Sequence, residues 1–252
     1  NLMKRALEYT KGFEGMICSY PHDERINPGG MINESASNSQ LGIKQTPGLA
    51  EEIMLNRDLF LLDYTKSRLH VSTISTKGST DLIRTAKGQS LSLTVGVALH
   101  NLLYNESALK GFESNYKTQP PLRGESDRLA LIEALADGTI DIIITDHTPE
   151  KIENKEREFD HASYGMTMLE TALSLINMHL KDLPWDRVAQ AMSIAPRKMC
   201  GQDLPVLMAG APFDFTLFDK DEKWVYDSKT CQSKSSNSPS FGSELLGKVI
   251  QV

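Results

Sequence analysis

Residues 141–150 read DIIITDHTPE, an apolar run that ends on Asp146 and His147. An unpaired carboxylate at the end of a buried strand costs several kcal/mol, about the penalty of any isolated buried charge, so Asp146 should meet a metal, a cation or several donors. Asp146 is therefore the leading candidate for a functional site. The plainer alternative is an aspartate that caps a helix or fixes a loop. Other polar residues follow apolar runs in the same way: Ser19 and Tyr20 after Met16–Cys18, Thr73, Ser75 and Thr76 after LHVS, and His100 and Asn101 after TVGVA. In parallel α/β folds the C-terminal strand ends carry the chemistry, because their loops vary while the scaffold does not.

The histidines point to a metal less strongly. His147 reads as a hydrogen-bonded structural group beside its aspartate, His70 as a packing residue within its strand, and His22 as an exposed loop residue. No pair stands at HxH or HxxxH spacing. Catalytic zinc usually takes three protein ligands, so the visible ligands are too few.

Apolar strands separated by amphipathic helices must position these residues. An amphipathic helix over 1–11 leads into strand 15–20, followed by a Gly/Pro/Asn-rich loop over 21–35, with residues 18–31 as a candidate lid. A helix then opens at Thr46-Pro47, with Leu49, Ile53, Leu55, Leu59 and Leu62 as its apolar residues. Next come strand 68–75, a serine-capped helix 79–88, strand 90–98, a capped helix within 123–138 bearing Leu129, Ile132 and Leu135 on one face, and strand 141–145. Helices at 166–180 and 185–200 close the series. Strands apolar on both faces imply a parallel sheet under helical cover, as a barrel or an open sheet. From about 204 the pattern turns to short alternating segments, so residues 1–203 form one α/β unit and 204–252 a small β-sheet segment. KSSNSPSFGS (234–243) reads as a mobile loop.

The 252 residues carry a net charge of −6 with 24% charged and 40% hydrophobic residues. That balance disfavours a nucleic-acid surface. No apolar run spans a bilayer and no signal peptide is evident, so a cytoplasmic protein is expected. Cys18, Cys200 and Cys231 lack CxxC spacing and read as core thiols. With no initiator methionine, the chain is expected to be the C-terminal part of a longer protein.

RLHVSTIST, NYKTQPPLRGESDR, ADGTIDIIITDHTPE, FDHASYGMTMLETAL and SNSPSFGSELLGKV resemble, in order and spacing, the second half of dihydroorotases of the amidohydrolase superfamily. The resemblance covers nearly the whole chain, and PPLR and TDHxP are its most specific segments. It implies a metal-dependent (β/α)8 TIM-type barrel, whose later strands lie in this chain, with a small β-sandwich at the C-terminus. The implied reaction is zinc-dependent hydrolysis of dihydroorotate in pyrimidine synthesis. Asp146 matches the metal-binding aspartate and general base. Gln119, Glu150, Tyr164 and Gly165 fall at substrate-contact positions, Gln119 in place of asparagine and Glu150 in place of histidine. Two metal-binding histidines of the family fall at Thr73 and at Ser19 or Tyr20, with His22 as a conceivable substitute. Hydroxyls bind zinc far less well than imidazole.

Three readings follow. The first is a family member that has lost strong metal binding and acts as a structural or regulatory partner of aspartate carbamoyltransferase. The second is an active cyclic amidase with dihydroorotate as substrate and a mononuclear zinc. The third is a binding module of unrelated activity on the same scaffold. A homo-oligomer is expected in either family reading.

Overall fold

A computed structural model describes residues 2–251. Helix α1 (Leu2–Lys11) buries Leu7 and enters β1 (Met16–Ser19). The loop beyond holds β2 (Ile32–Asn33) and β3 (Gln45–Thr46), a parallel pair of two residues each. Helix α2 (Leu49–Thr65) then leads to β4 (Arg68–Val71), α3 (Lys77–Gly88) to β5 (Leu93–Ala98), and α4 (Leu99–Leu103) with α5 (Glu125–Ala136) to β6 (Ile142–Ile144). The sheet order is β1-β4-β5-β6, all parallel, with Ile17 opposite Leu69, Leu69 opposite Leu93 and Val97 opposite Ile143. Parallel strands joined by helices are buried on both faces, and β5 is buried at every position but Thr94.

The expected helices form, with shifted ends. On α2 the buried leucines are Leu55, Leu59 and Leu62, while Leu49 and Ile53 are 52% and 46% exposed. Each buried leucine contributes about 1.5–3 kcal/mol through its burial, and the exposed two add little. Thr46 does not cap this helix; Gly48 holds the cap position with no side-chain bond. Thr76, not Ser79, caps α3, its hydroxyl accepting from the Ser79 amide. On α5 the buried face is Leu131, Ala134 and Leu135, Leu129 is 53% exposed, and no side chain caps the helix. The C-terminal helical region comprises α6 (Ile152–Lys155), α7 (Ala172–His179), α8 (Trp185–Ala189) and α9 (Ala195–Met199), the last two joined by a π-helical turn at Gln190–Ile194.

Beyond 204 the strands are β7 (Leu217–Val225) and β8 (Glu244–Gln251), paired antiparallel. The APFDF segment that reads as strand in the sequence holds no strand. The ribbon is held to α7: Ser174 Oγ donates to the Gly247 carbonyl at 2.5 Å, and Asn177 Nδ2 donates to the Lys220 and Leu246 carbonyls. Two expectations fail. Cys18 and Cys200 are exposed and Cys231 half-buried, because edge strand β1 and the end of α9 leave the first two at the surface. The 234–243 segment is anchored, with Asn237, Ser238 and Ser240 buried. The Asn237 side chain is the anchor, spanning three backbone groups as described below.

At Gly96 a Cβ would stand 2.2 Å from the Ser72 carbonyl oxygen, so β5 approaches the end of β4 as closely as its backbone allows. The Ile74 amide donates to the Gly96 carbonyl at 3.2 Å. This contact brings the polar ends of β4 and β5 together.

Candidate functional site

Asp146 follows β6 with φ +47°, a left-handed conformation that aspartate tolerates better than most residues. Its carboxylate lies 3.9 Å from Nδ1 of His100, which sits in the first turn of α4 directly after β5 and is fully buried. Among the described residues no donor bonds to this carboxylate, and its side chain is 35% exposed. Part of the carboxylate therefore faces solvent rather than a shell of protein donors. Burial still raises the Asp146 pKa. The His100 Nε2–H donates to the Pro120 carbonyl at 3.3 Å, leaving Nδ1 as a buried lone pair without a partner. Burial pushes His100 down to about 4, so the ring is neutral near pH 7.

The other histidines differ in kind. His147 Nδ1 accepts from the Met168 and Leu169 amides at 3.2 Å each, which occupies the lone pair a metal would need. His70 Nδ1 pairs with Thr94 Oγ1 at 2.9 Å. Burial lowers the His70 pKa, so its folded value lies below its unfolded one. Acid then protonates the unfolded chain first, and the stability this residue contributes above its unfolded pKa falls as the pH drops below that value. Urea unfolding between pH 7 and pH 5 checks this: the midpoint should fall less steeply in His70→Gln than in the native chain. An unchanged slope would contradict it.

The positions where the resemblance puts metal-binding histidines hold hydroxyls already committed or enclosed. Ser19 Oγ donates to Asp58 at 2.6 Å, and Asp58 also takes the Arg57 guanidinium. Thr73 Oγ1 is buried without a partner. Tyr20 is held at its hydroxyl by the Gln119 amide, and His22 stacks 6.2 Å from its ring. The Tyr20 ring is 42% exposed, yet its enclosed hydroxyl titrates above the ordinary tyrosine value, through burial first and the Glu51 charge second. Among the described residues no three His, Cys, Asp or Glu side chains gather as a metal site. Their donors do not fit a binuclear zinc centre.

Tyr20, Gln119, Arg123, Glu51 and Asp146 nevertheless share one neighbourhood, since the charges of Glu51, Arg123 and Asp146 all act on the Tyr20 hydroxyl. Arg123 is buried and donates to Ser75 Oγ, Asn33 Oδ1 and the Thr46 carbonyl, each at 3.0 Å. Glu51 accepts from the Ser75 and Thr76 amides and from the Ser75 and Ser79 hydroxyls. These bonds fix the turn after β4. Nothing in the sequence singles out Glu51, an ordinary acidic residue in the first turn of α2, because its partners lie 24 to 28 positions away.

The remaining candidates lie on the adjoining loops. Glu150 accepts from Asn154 Nδ2 at 3.0 Å and borders a cavity of about 870 Å³ that also meets Lys155 and Asn237. Gly165, at φ +126°, has its carbonyl bound by Asn237 and by Lys155, and a Cβ there would stand 2.6 Å from Thr148. Asn237 also donates to the Thr148 carbonyl and accepts the Glu150 amide, which joins the Glu150 and Tyr164–Gly165 segments. Glu150 and Tyr164–Gly165 thus share one loop cluster, beside the Tyr20–Asp146 group.

Residues 58–251 match the model of the amidohydrolase family. The chain is 40% identical over 255 residues to a dihydroorotase of Leifsonia xyli subsp. xyli, covering 99% of this chain and 58% of the relative. It is 40% identical over 254 residues to a dihydroorotase of Streptomyces coelicolor, covering 98% and 59%. It thus spans less than two thirds of the relatives it matches. Solved structures with the same fold include an L-hydantoinase from Arthrobacter aurescens, with TM-score 0.83, 20% identity and coverage of 98% of this chain and 57% of that one. A D-hydantoinase from Thermus sp. superposes with TM-score 0.81 at 20% identity, covering 98% and 57%. The parallel α/β sheet is thereby of the TIM-barrel type, whereas the two-stranded β7–β8 ribbon stops short of the expected sandwich. No helix is long and apolar enough to cross a membrane among the described residues.

Proposed function

The chain belongs to the amidohydrolase family, and from that membership we propose that it is the ligand-facing second half of a dihydroorotase-like protein of pyrimidine synthesis that lacks a strong metal centre. The observation that carries this reading is that hydroxyls stand at both positions where the resemblance puts metal-binding histidines: Thr73, enclosed, and Tyr20, held by Gln119, or Ser19, committed to Asp58. Bound zinc would lower the pKa of its water and supply a hydroxide nucleophile. Without imidazole at these positions, Asp146 has too few partners to hold it. The protein then binds the cyclic amide or its ring-opened product and serves as a structural or regulatory partner, with aspartate carbamoyltransferase the partner the family resemblance suggests. The division of the chain at 203/204 belongs to the same proposal.

A second reading has one observation in its favour. The unpartnered Nδ1 of His100 lies 3.9 Å from Asp146, and a neutral imidazole beside a carboxylate is a pair that a single zinc could use with ligands from elsewhere. The chain would then be part of an active cyclic amide hydrolase. Metal analysis of the dialysed full-length protein, together with a dihydroorotate hydrolysis assay, separates the two. We expect substoichiometric zinc and no turnover. Stoichiometric zinc with turnover lost in Asp146→Asn would establish the second reading.

A further inference from the structure

Two ammonium groups are enclosed beneath the loop that carries Tyr164 and Gly165. Lys117 and Lys155 are 2% and 5% exposed. Lys117 Nζ donates to the carbonyls of Phe159, Asp160 and Ala162 at 2.7, 3.0 and 2.8 Å, and sits 4.9 Å from the Tyr164 ring centroid and 5.4 Å from that of Phe159. Lys155 Nζ donates to the carbonyls of Ser114, Ser163 and Gly165 at 2.6, 2.9 and 2.9 Å. Five of these six acceptors belong to the segment 159–165. The Gly165 amide returns a bond to the Lys117 carbonyl at 2.9 Å, and Ser114 Oγ to the Lys155 carbonyl at 2.6 Å. Among the described residues neither lysine has a carboxylate within salt-bridge distance, so both charges are met by oriented carbonyl dipoles.

This arrangement is an expensive way to stabilise a fold. A buried ammonium loses its hydration, and an apolar side chain of similar length often fills such a space at less cost. The cost shows in the titration: burial pushes Lys155 down to about 8 and also lowers Lys117. An ammonium does something that a methyl cannot, however. Its three N–H groups gather three carbonyls around one point and so fix the direction in which the peptide units between them face. Lys117 directs the first half of the segment and clasps the Tyr164 ring, while Lys155 fixes the carbonyls of Ser163 and Gly165, the residues on either side of Tyr164. The next residues after Lys117 are Thr118 and Gln119, and the latter holds the Tyr20 hydroxyl. One pair of cations thus bridges both parts of the site.

We propose that Lys117 and Lys155 are positioning residues that clamp the Tyr164–Gly165 backbone in its ligand-facing arrangement. The ligand named in the test rests on the functional reading above, whereas the clamp itself rests on the hydrogen bonds. Lys155→Met and Lys117→Met keep side-chain length and remove the donors. Lys155 borders the open cavity, so water can reach the carbonyls its loss would free. Lys151→Met, on the exposed rim of the same cavity, serves as the control.

The full-length protein is examined by amide hydrogen exchange over 158–166, by thermal unfolding, and by titration with L-dihydroorotate. In both lysine variants exchange in that segment should rise roughly tenfold or more, the equivalent of losing one or two net hydrogen bonds, while the melting temperature moves by only a few degrees. L-dihydroorotate affinity should fall by a similar factor, with Lys151→Met unchanged in all three measurements. A clamp variant whose loop exchange stays at the native level overturns the inference. So does a variant in which loop exchange and global unfolding change in step, which would mark the lysines as general stabilisers. If the native protein fails to bind L-dihydroorotate while the variants still loosen the loop, the functional reading falls and the clamp stands.

Discussion

Glu51→Ala is expected to lower the unfolding free energy by about 3–5 kcal/mol, the loss typical of removing one member of a buried charged network. The carboxylate is 3% exposed and receives four donors, two from backbone amides of the turn after β4 and two from hydroxyls. Alanine leaves all four donors enclosed. It also removes the negative charge opposite the buried Arg123 guanidinium, which reaches Glu51 through Ser75 Oγ. Glu51→Gln keeps the shape and two acceptor lone pairs but brings an NH2 group into a ring of donors, so it should recover only part of the loss. Denaturant unfolding of the three proteins at pH 7 measures the difference. An alanine variant within about 1 kcal/mol of the native chain, the range of an ordinary exposed substitution, would show that the network is not structurally important.

Restoring imidazole at the two hydroxyl positions, as Tyr20→His with Thr73→His, is expected to tighten zinc binding by two orders of magnitude or more; Tyr20 is chosen over Ser19 because its hydroxyl faces Asp146, whereas Ser19 is turned to Asp58 on α2. Each nitrogen donor adds several kcal/mol to a site, and about 1.4 kcal/mol corresponds to a factor of ten. Tyr20 follows β1 and Thr73 follows β4, its neighbour in the sheet, so both added rings would rise from adjacent strand ends. Asp146 would be the third protein ligand. Dialysis against a zinc buffer followed by metal analysis reads the change directly, and Asp146→Asn in the double variant should abolish the gain. Should the double variant bind no more zinc than the native chain, the two hydroxyls would not be what limits the metal, and the proposed function would lose its chief support. Thr73 is 4% exposed, so a histidine there requires some repacking, and thermal unfolding of the double variant verifies that the fold survives it.

The alternation of apolar strands and amphipathic helices was legible because both periodicities are local. Ile142–Ile144, the TVGVA run of β5 and the Leu55/Leu59/Leu62 face of α2 each declare their place within a few residues. Element ends were less legible. Thr46, Ser79 and the residues before α5 all look like caps, but the Thr76 hydroxyl and glycine backbones take those roles. The surface cysteines were misread because apolar neighbours in sequence need not be neighbours in space. The serine-rich 234–243 segment was misread because composition reports mobility only when no distant partner binds the chain, and Asn237 has three such bonds.

For the site, residue types at strand ends were enough to single out Asp146 as a candidate, and the family resemblance to note hydroxyls at the positions where it puts imidazole. Chemistry of that kind belongs to a side chain wherever it is placed. The sequence also determined the family, since motifs such as PPLR and TDHTP keep their order and spacing along the chain. Only the tertiary structure decided which groups are paired. It showed that His147 is spent on two backbone amides, that the His100 lone pair is left unpartnered near Asp146, that Glu51 organises the turn after β4, and that two lysines far apart in sequence close on one loop. Pairing depends on three-dimensional distance and on the loss of water, and neither is written in the order of residues.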